Sequence, residues 1–539
     1  MHLDQRTVIS WIREKHCNLR AVRNGPVPQD AVVSCRHDIL RATQPEPGFL
    51  MSRPNLLFLY TDEQAANTLA TYGNSQIEMP NLNRLAEESF VFDRTYVTQP
   101  VCTPARASIL TGLYPHTTGC TELNIPLRPE TLCLPEMIQD GEYVAGHFGK
   151  WHLGDELFPQ HGFEEWLGTE DGYHISSSEG RDPGTRSDYH HFLIAQGLTP
   201  AGEAKFTRAQ CARFPEEIGK PAFLAREASR FIRDNRDRPF VLYANFLEPH
   251  MPFFGPRDGQ HDPADIPLPP NFDNVPGPDR PLKTRLLQEA CFRWGHSGLP
   301  LQTEDDWRRM IANYWGLCSL VDTHVGTILQ TLEECGLRDN TIVVFTSDHG
   351  DMMGSHRMIA KCVQFEESVR VPLLIRLPGQ RDHRRVTGPV SQISLVPTLL
   401  DLLGQPVPGH LQGPSLRPIM ESRDPVAPDP VFIQWNGPNN GITGSIQDGS
   451  YPAWLKAMAS PEDFRSASTD PVRTIIRRDG WKLNCSPLGE HELYNLHEDP
   501  HEMRNRYAKE KGGTRVRELA DQIRDWQARV QDTVTLPAP

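Results

Sequence analysis

Nowhere in the 539 residues does an apolar stretch approach the roughly 18 consecutive positions that a membrane helix needs. A dominant basic block is missing too. Lys and Arg total 55 against 69 Asp and Glu, a formal charge of −14, so neither nucleic acid nor an anionic membrane is an expected partner. Cysteine is sparse, odd in number and scattered: the 11 residues at 17, 35, 102, 120, 133, 211, 291, 318, 335, 362 and 485 exclude a dense disulfide framework. Residues 1–50 hold neither a basic start leading into an apolar segment nor a small-residue cleavage site, which makes the cytoplasm the expected compartment. Lying ahead of Met51, they are expected to be a poorly ordered extension. No internal repeat stands out.

What the chain does have is a set of short, continuous apolar runs. Asn55–Tyr60, Phe240–Phe246, Thr341–Phe345 and Val371–Ile375 read as strands buried on both faces, with Tyr143–Phe148 a weaker example. Helical patterns lie between them. The stretch Thr303–Glu334 opens with a Thr cap, carries Trp307, Met310, Ile311, Tyr314 and Leu317 at helical spacing, and stops near Gly336. This alternation predicts an α/β fold, a large and mainly parallel sheet sandwiched by helices, over residues 51–405. Residues 255–300, rich in proline and polar groups, read as a long surface insertion at a pocket rim. A Pro/Gly-rich stretch over 403–430 leads into strand candidates at Val431–Trp435, Val472–Arg477 and Trp481–Leu483. Then Val516, Leu519, Ile523, Trp526 and Val530 mark an amphipathic last helix. Residues 406–539 are therefore expected to be a smaller C-terminal α+β subdomain with an antiparallel sheet.

In a mainly parallel sheet, ligands gather beyond the carboxyl ends of the strands, and the polar residues after Tyr60, Phe148, Phe246 and Phe345 sit there. Pro104 suits the first position of a helix running through Leu110, which would put Cys102 at its positive end, where an anion is favoured. A buried cysteine is ordinarily a small hydrophobe. Its neighbours change that. Cys102-Thr-Pro104-Ala-Arg106, followed by Leu110-Thr111-Gly112, resembles the signature of the formylglycine-dependent sulfatases in the alkaline-phosphatase superfamily. Alanine at 105, where serine is common, also fits that signature.

The resemblance implies that a formylglycine-generating enzyme oxidises Cys102 to an aldehyde, whose hydrate attacks sulfur, and that Arg106 holds the diol. It further implies a divalent metal, expected to be calcium with manganese or magnesium as alternatives, held by Asp62, Glu63, Asp348, His349 and the modified Cys102. Glu63 stands where Asp or Gln is usual, which leaves its coordination open. Gly149-Lys150-Trp151-His152 is similar to a family segment in which Lys150 would bind sulfate and His152 would touch the diol. On a strand edge, residues i and i+2 share a face, so both would point into one site. Pro249-His250-Met251-Pro252 resembles the turn whose His250 protonates the leaving oxygen. The segment Gly354–Lys361 would deliver a second sulfate-binding lysine, Lys361.

The activity expected is hydrolysis of a sulfate monoester on a sulfated small molecule or carbohydrate, with an aryl or alkyl sulfate next in order. Selectivity is assigned to residues 255–300 and to Gln434, Trp435, Asn436, Asn439 and Asn440. Two rivals stand beside this reading. One is a phosphonate monoester or phosphodiester hydrolase of the same superfamily, against which the Gly-Lys-Trp-His segment speaks. The other is an inactive metal-binding homologue in which Cys102 stays a thiol.

Overall fold

The computed structural model describes residues 53–538 except 172–177, 179, 183, 202–204, 428 and 438–450, so the expected extension over 1–50, Asn439 and Asn440 lie outside the described residues. A nine-stranded mixed sheet organises the chain. Its strands are β1 (Asn55–Asp62), β2 (Phe90–Tyr96), β3 (Val144–Gly149), β4 (Glu165–Leu167), β5 (Phe240–Pro249), β6 (Thr341–Ser347), β7 (Arg370–Val371), β8 (Leu373–Arg376) and β9 (Arg384–Ser391). In space they run β4-β3-β5-β1-β6-β8-β2-β7, with β9 on β2. The five strands from β4 to β6 are mutually parallel, β8 is antiparallel to β6 and β2, and β9 is parallel to β2.

Period-two alternation explains why the central strands read as unbroken apolar runs. Leu57 and Leu59 of β1 enter one core with the helices Lys220–Asp234 and Glu304–Glu334. Leu56, Phe58 and Tyr60 enter the other, with the helices Cys102–Thr111 and Leu395–Leu402. Each such side chain, fully buried, contributes roughly 1.5–3 kcal/mol. The helix Glu304–Glu334 starts as expected: the Thr303 hydroxyl accepts from the Asp306 amide at 3.2 Å while the Asp306 carboxylate accepts from the Thr303 amide at 2.9 Å. No helix among the described residues is long and apolar enough to cross a membrane. The nine described cysteines are all free thiols.

Three sequence expectations change. Val371–Ile375 is two strands, because Pro372 offers no amide to a ladder: β7 pairs only with β2, while β8 pairs with β6 and β2. The helix at Cys102 begins on Cys102 itself, with Val101 as its cap, so Pro104 sits inside the first turn, where amides need no intrahelical partner. The segment 255–300 is no simple surface insertion: it contains the helix Leu282–Trp294, whose Leu286 and Ala290 are buried against Leu455 and Phe464. Within the same segment Asn271 is fully buried and donates to Glu367 at 2.9 Å, and Arg280 donates to the Glu502 carbonyl at 2.8 Å. Its prolines conceal a strap that ties the central region to the last part of the chain.

That last part is a four-stranded antiparallel sheet, β10 (Val431–Gln434), β11 (Arg473–Ile476), β12 (Trp481–Cys485) and β13 (Glu492–Asn495), in sequential order. The helix Thr514–Val530 covers it with Val516, Leu519, Ile523, Trp526 and Val530, and the Trp526 ring stacks on Phe432 at 4.9 Å.

Candidate active site

Four strand ends and one helix start converge. β1 delivers Asp62 and Glu63, β3 leads into Lys150, β5 into His250, and β6 into Asp348 and His349, all beyond the carboxyl edge of the sheet. The helix that follows β2 brings Cys102 and Arg106.

Sγ of Cys102 lies 3.2 Å from Nε2 of His349 and 3.7 Å from Oδ1 of Asp62. The His349 Nε2 is 3.6 Å from both Asp62 Oδ1 and Asp348 Oδ1. Its other nitrogen, Nδ1, lies 3.0 Å from the Gly350 carbonyl, an acceptor that orients the ring with Nε2 inward. Ligand atoms of Asp62, Cys102, Asp348 and His349 lie within 4.8 Å of one another, and a second group of Asp62, Glu63 and His250 meets the same limit. Two hard carboxylates, an imidazole and a sulfur in so small a buried space suit a divalent cation. Glu63 stands one step aside: its Oε2 faces Lys361 Nζ at 3.0 Å and His250 Nε2 at 3.5 Å.

Positive charge answers the carboxylates from within the protein. Arg106, fully buried, donates through Nε to Asp348 at 2.8 Å, through Nη2 to Asp62 at 3.0 Å and through Nη1 to the Lys150 carbonyl at 2.8 Å. Lys150 pairs with Asp62 as well. Burial opposes ionisation of Asp62, yet Lys150, His250 and Arg106 hold its carboxyl well below the usual range. Burial likewise opposes a thiolate at Cys102, and Asp62 adds to that opposition, but Lys150, Lys361 and His349 draw the thiol below its ordinary value. Glu63 goes the other way, pushed up to about 8 by burial. His250 is held well below the ordinary imidazole value by burial and by Lys361, and His152 by burial and Lys150.

Each lysine arrives by a different device. Gly149, at φ 107, turns the chain out of β3, and a Cβ there would overlap the Asn245 carbonyl oxygen. Gly149→Ala is expected to cost roughly 2–5 kcal/mol, the sum of overpacking and left-handed strain. Urea unfolding that shows a loss under about 1 kcal/mol would contradict this close approach. The next turn is not a strand edge. His152 adopts φ 59, and one carboxylate, Glu156, accepts from the amides of both Trp151 (2.9 Å) and His152 (2.5 Å). Lys150 and His152 meet different partners: Lys150 pairs with Asp62, while Nε2 of His152 lies 2.8 Å from Asn124 Oδ1. Glu156→Ala leaves two buried amides without acceptors, at about 1–3 kcal/mol each, and should lower kcat about 10- to 100-fold by displacing Lys150. Steady-state kinetics of a folded Glu156→Ala protein at the unchanged kcat would remove Glu156 from this role.

Lys361 closes a loop in which Met353, His356, Arg357, Ala360 and Cys362 all have positive φ. Asp351 anchors that loop by accepting from the amides of Met353 at 2.7 Å and Ala360 at 3.1 Å. Glu156, Asp351, Asn124 and Asn245 are the supporting residues that the sequence reading missed; only Asp351, three residues beyond Asp348, had a positional hint. Gln434 and Trp435 are buried, and Trp435 packs on Val101 and Cys362 with Lys283 Nζ 3.7 Å from its ring centroid. They brace the Cys102 turn, and Asn436 joins them by donating to Gln99 Oε1 at 2.8 Å.

This architecture recurs in solved structures. A structure in complex with its substrate D-glucosamine-2-N,6-O-disulfate matches with TM-score 0.68 and 22% identity, covering 89% of this chain and 99% of that one. The phosphonate monoester hydrolase from Silicibacter pomeroyi matches with TM-score 0.69 and 24% identity, over 89% and 96%. At these identities the likeness is one of fold. The chain belongs to the sulfatase family, whose model matches residues 54–405. It is 26% identical to the N-acetylglucosamine-6-O-sulfatase of Bacteroides thetaiotaomicron, over 89% of this chain and 87% of that protein. It is also 28% identical to the choline-sulfatase of Rhizobium meliloti, over 84% and 82%. The protein is a sulfuric ester hydrolase.

Proposed function

We propose that the enzyme removes sulfate from a carbohydrate sulfate monoester, using formylglycine made from Cys102 and a divalent cation. The observation that carries this reading is the convergence of Cys102 with Asp62, Asp348 and His349 inside 4.8 Å, flanked by Lys150 and Lys361. Relatives named for N-acetylglucosamine-6-sulfate and ulvan support the carbohydrate.

A cation held by Asp62, Asp348 and His349, with Glu63 at hand, would supply charge to a sulfate oxygen; calcium suits the oxygen-rich set. Formylglycine would supply, as its hydrate, the hydroxyl that attacks sulfur and a second hydroxyl whose proton loss frees the product sulfate. The remaining work falls to side chains. Lys150 and Lys361 bind the sulfate oxygens and offset their charge. Arg106 keeps Asp62 ionised and holds Asp62 and Asp348 in place. His250, with Nδ1 tied to the Met251 carbonyl at 2.8 Å, presents Nε2 and gives a proton to the leaving oxygen. Burial is the larger cause that keeps His250 neutral and Lys361 the smaller, so a sulfate anion seated against Lys361 would offset the smaller one and favour the protonated acid. His152, whose Nε2 donates to Asn124 Oδ1, would take a proton from the second hydroxyl at its Nδ1.

The test is product release from sulfate monoesters, phosphonate monoesters and phosphodiesters, on protein whose Cys102 peptide shows the mass of the aldehyde. Sulfate monoesters should be cleaved fastest, with loss on chelation and recovery with calcium. A faster phosphonate reaction would favour the rival suggested by the Silicibacter neighbour. An unmodified thiol in active protein would remove the formylglycine mechanism.

A further inference from the structure

Beside His250 runs a narrow neck lined by Glu248, Arg208 and Lys220. It adjoins a cleft of about 330 Å³ that shares Arg208 and Lys220 with it. The cleft wall also carries Glu170, Asp171, Lys205 and Phe206. None of these residues belongs to the sulfate-binding group. Glu170, almost fully buried, accepts from Arg208 Nε at 2.6 Å and also pairs with Lys220. Asp171 lies 3.1 Å from His190 Nδ1 and accepts from the Ser187 amide at 2.8 Å. Three cations thus face two carboxylates, so the cleft is net positive even with His190 neutral.

The position of the cleft is informative as well. Arg208 and His250 line the same neck, so a molecule in contact with Arg208 lies beside the group assigned to protonate the leaving oxygen. The volume falls at the lower end of the roughly 300–1,000 Å³ usual for ligand pockets, which suits one sugar ring rather than a long chain. Phe206 offers an apolar wall for a ring face, and Asp171 an acceptor for hydroxyls.

We propose that this cleft holds the alcohol half of the substrate and selects a hexose sulfate that bears a second anionic group, sulfate or carboxylate, read by Arg208 and Lys205. The proposal rests on the carbohydrate-sulfate reading above. A guanidinium suits an oxyanion, while Lys205 adds charge without fixed geometry.

The experiment uses glucosamine 6-sulfate and glucosamine 2-N,6-O-disulfate with enzyme whose aldehyde content is verified by mass. The matured enzyme should prefer the disulfate in kcat/KM by about 10- to 100-fold. Arg208→Ala should bring that ratio within about threefold of one, mainly through KM. Lys205→Ala, which removes no internal ion pair of the cleft, should reduce the ratio part of the way and guards against a misfolded Arg208 variant. Calorimetry on unmatured Cys102→Ala protein should show the same order of binding for the two sugars, lost with Arg208→Ala added. Equal kcat/KM for the two sugars in the unaltered enzyme, or an undiminished preference in both variants, overturns the subsite while leaving carbohydrate sulfatase activity standing. Turnover of neither sugar, with aryl sulfate cleaved, overturns the carbohydrate reading and the subsite together.

Discussion

Cys102→Ala is expected to lower sulfate-ester hydrolysis by at least about 10⁴-fold while leaving the fold intact, because the reaction loses the side chain from which the proposed nucleophile is made. The side chain is small, so its loss removes little packing, and circular dichroism and urea unfolding should match the unaltered protein closely. The surrounding charges remain in place: Arg106 still bridges Asp62 and Asp348, and Lys361 still faces Glu63. A residual rate within about tenfold of the matured enzyme would mean that another group, or bound water, attacks the ester. The contrast between an unchanged fold and an abolished rate gives this experiment its power.

Arg106→Met is expected to do the reverse first. In chelator-treated protein it should lower unfolding free energy by about 3–5 kcal/mol, read from urea denaturation, because two buried carboxylates lose their common partner. Methionine roughly fills the space of the aliphatic stem but returns none of the donors to Asp348, Asp62 and the Lys150 carbonyl. Added calcium should recover part of the loss, since a cation bound only by the folded state stabilises it by mass action. Arg106→Lys should fall between the two, with the charge kept and the fork lost. A loss under about 1 kcal/mol for the methionine variant would show that Arg106 is not the partner on which the two carboxylates depend.

The centre of the sheet was legible because β1, β5 and β6 are buried on both faces and so carry apolar residues without a break. Its flank was not. β2 has half-buried Asp93 and Arg94 in its middle, β9 begins on Arg384 and Arg385, and β4 is three residues long, so none offers a clean period. The proposed reacting residues were legible for a different reason: except for Lys361, which lies in a loop, they stand at or just after strand ends or at a helix start, and all lie in motifs that resemble a known family. The residues that hold them are not. Glu156 acts on two backbone amides, Asn245 donates to the Lys150 carbonyl, and Asp351 anchors a loop of left-handed residues. Such roles depend on what the fold carries past a side chain, which no local spacing records. The cleft at Arg208 belongs with them, since Glu170, His190 and Lys220 become neighbours only after the segments carrying them are folded together.

Cys102 precedes His349 by 247 residues, yet in the finished molecule it is almost completely covered, 2% exposed, with His349 against its sulfur. On a ribosome the thiol emerges long before β6 exists to be laid beside β1. An agent that makes the proposed formylglycine from Cys102 would therefore meet it as part of an open nascent chain, and the arrival of β6 would close that interval. On that proposal, the commitment of each molecule to activity is a race between an outside catalyst and the protein's own folding, decided before the last third of the chain is in place.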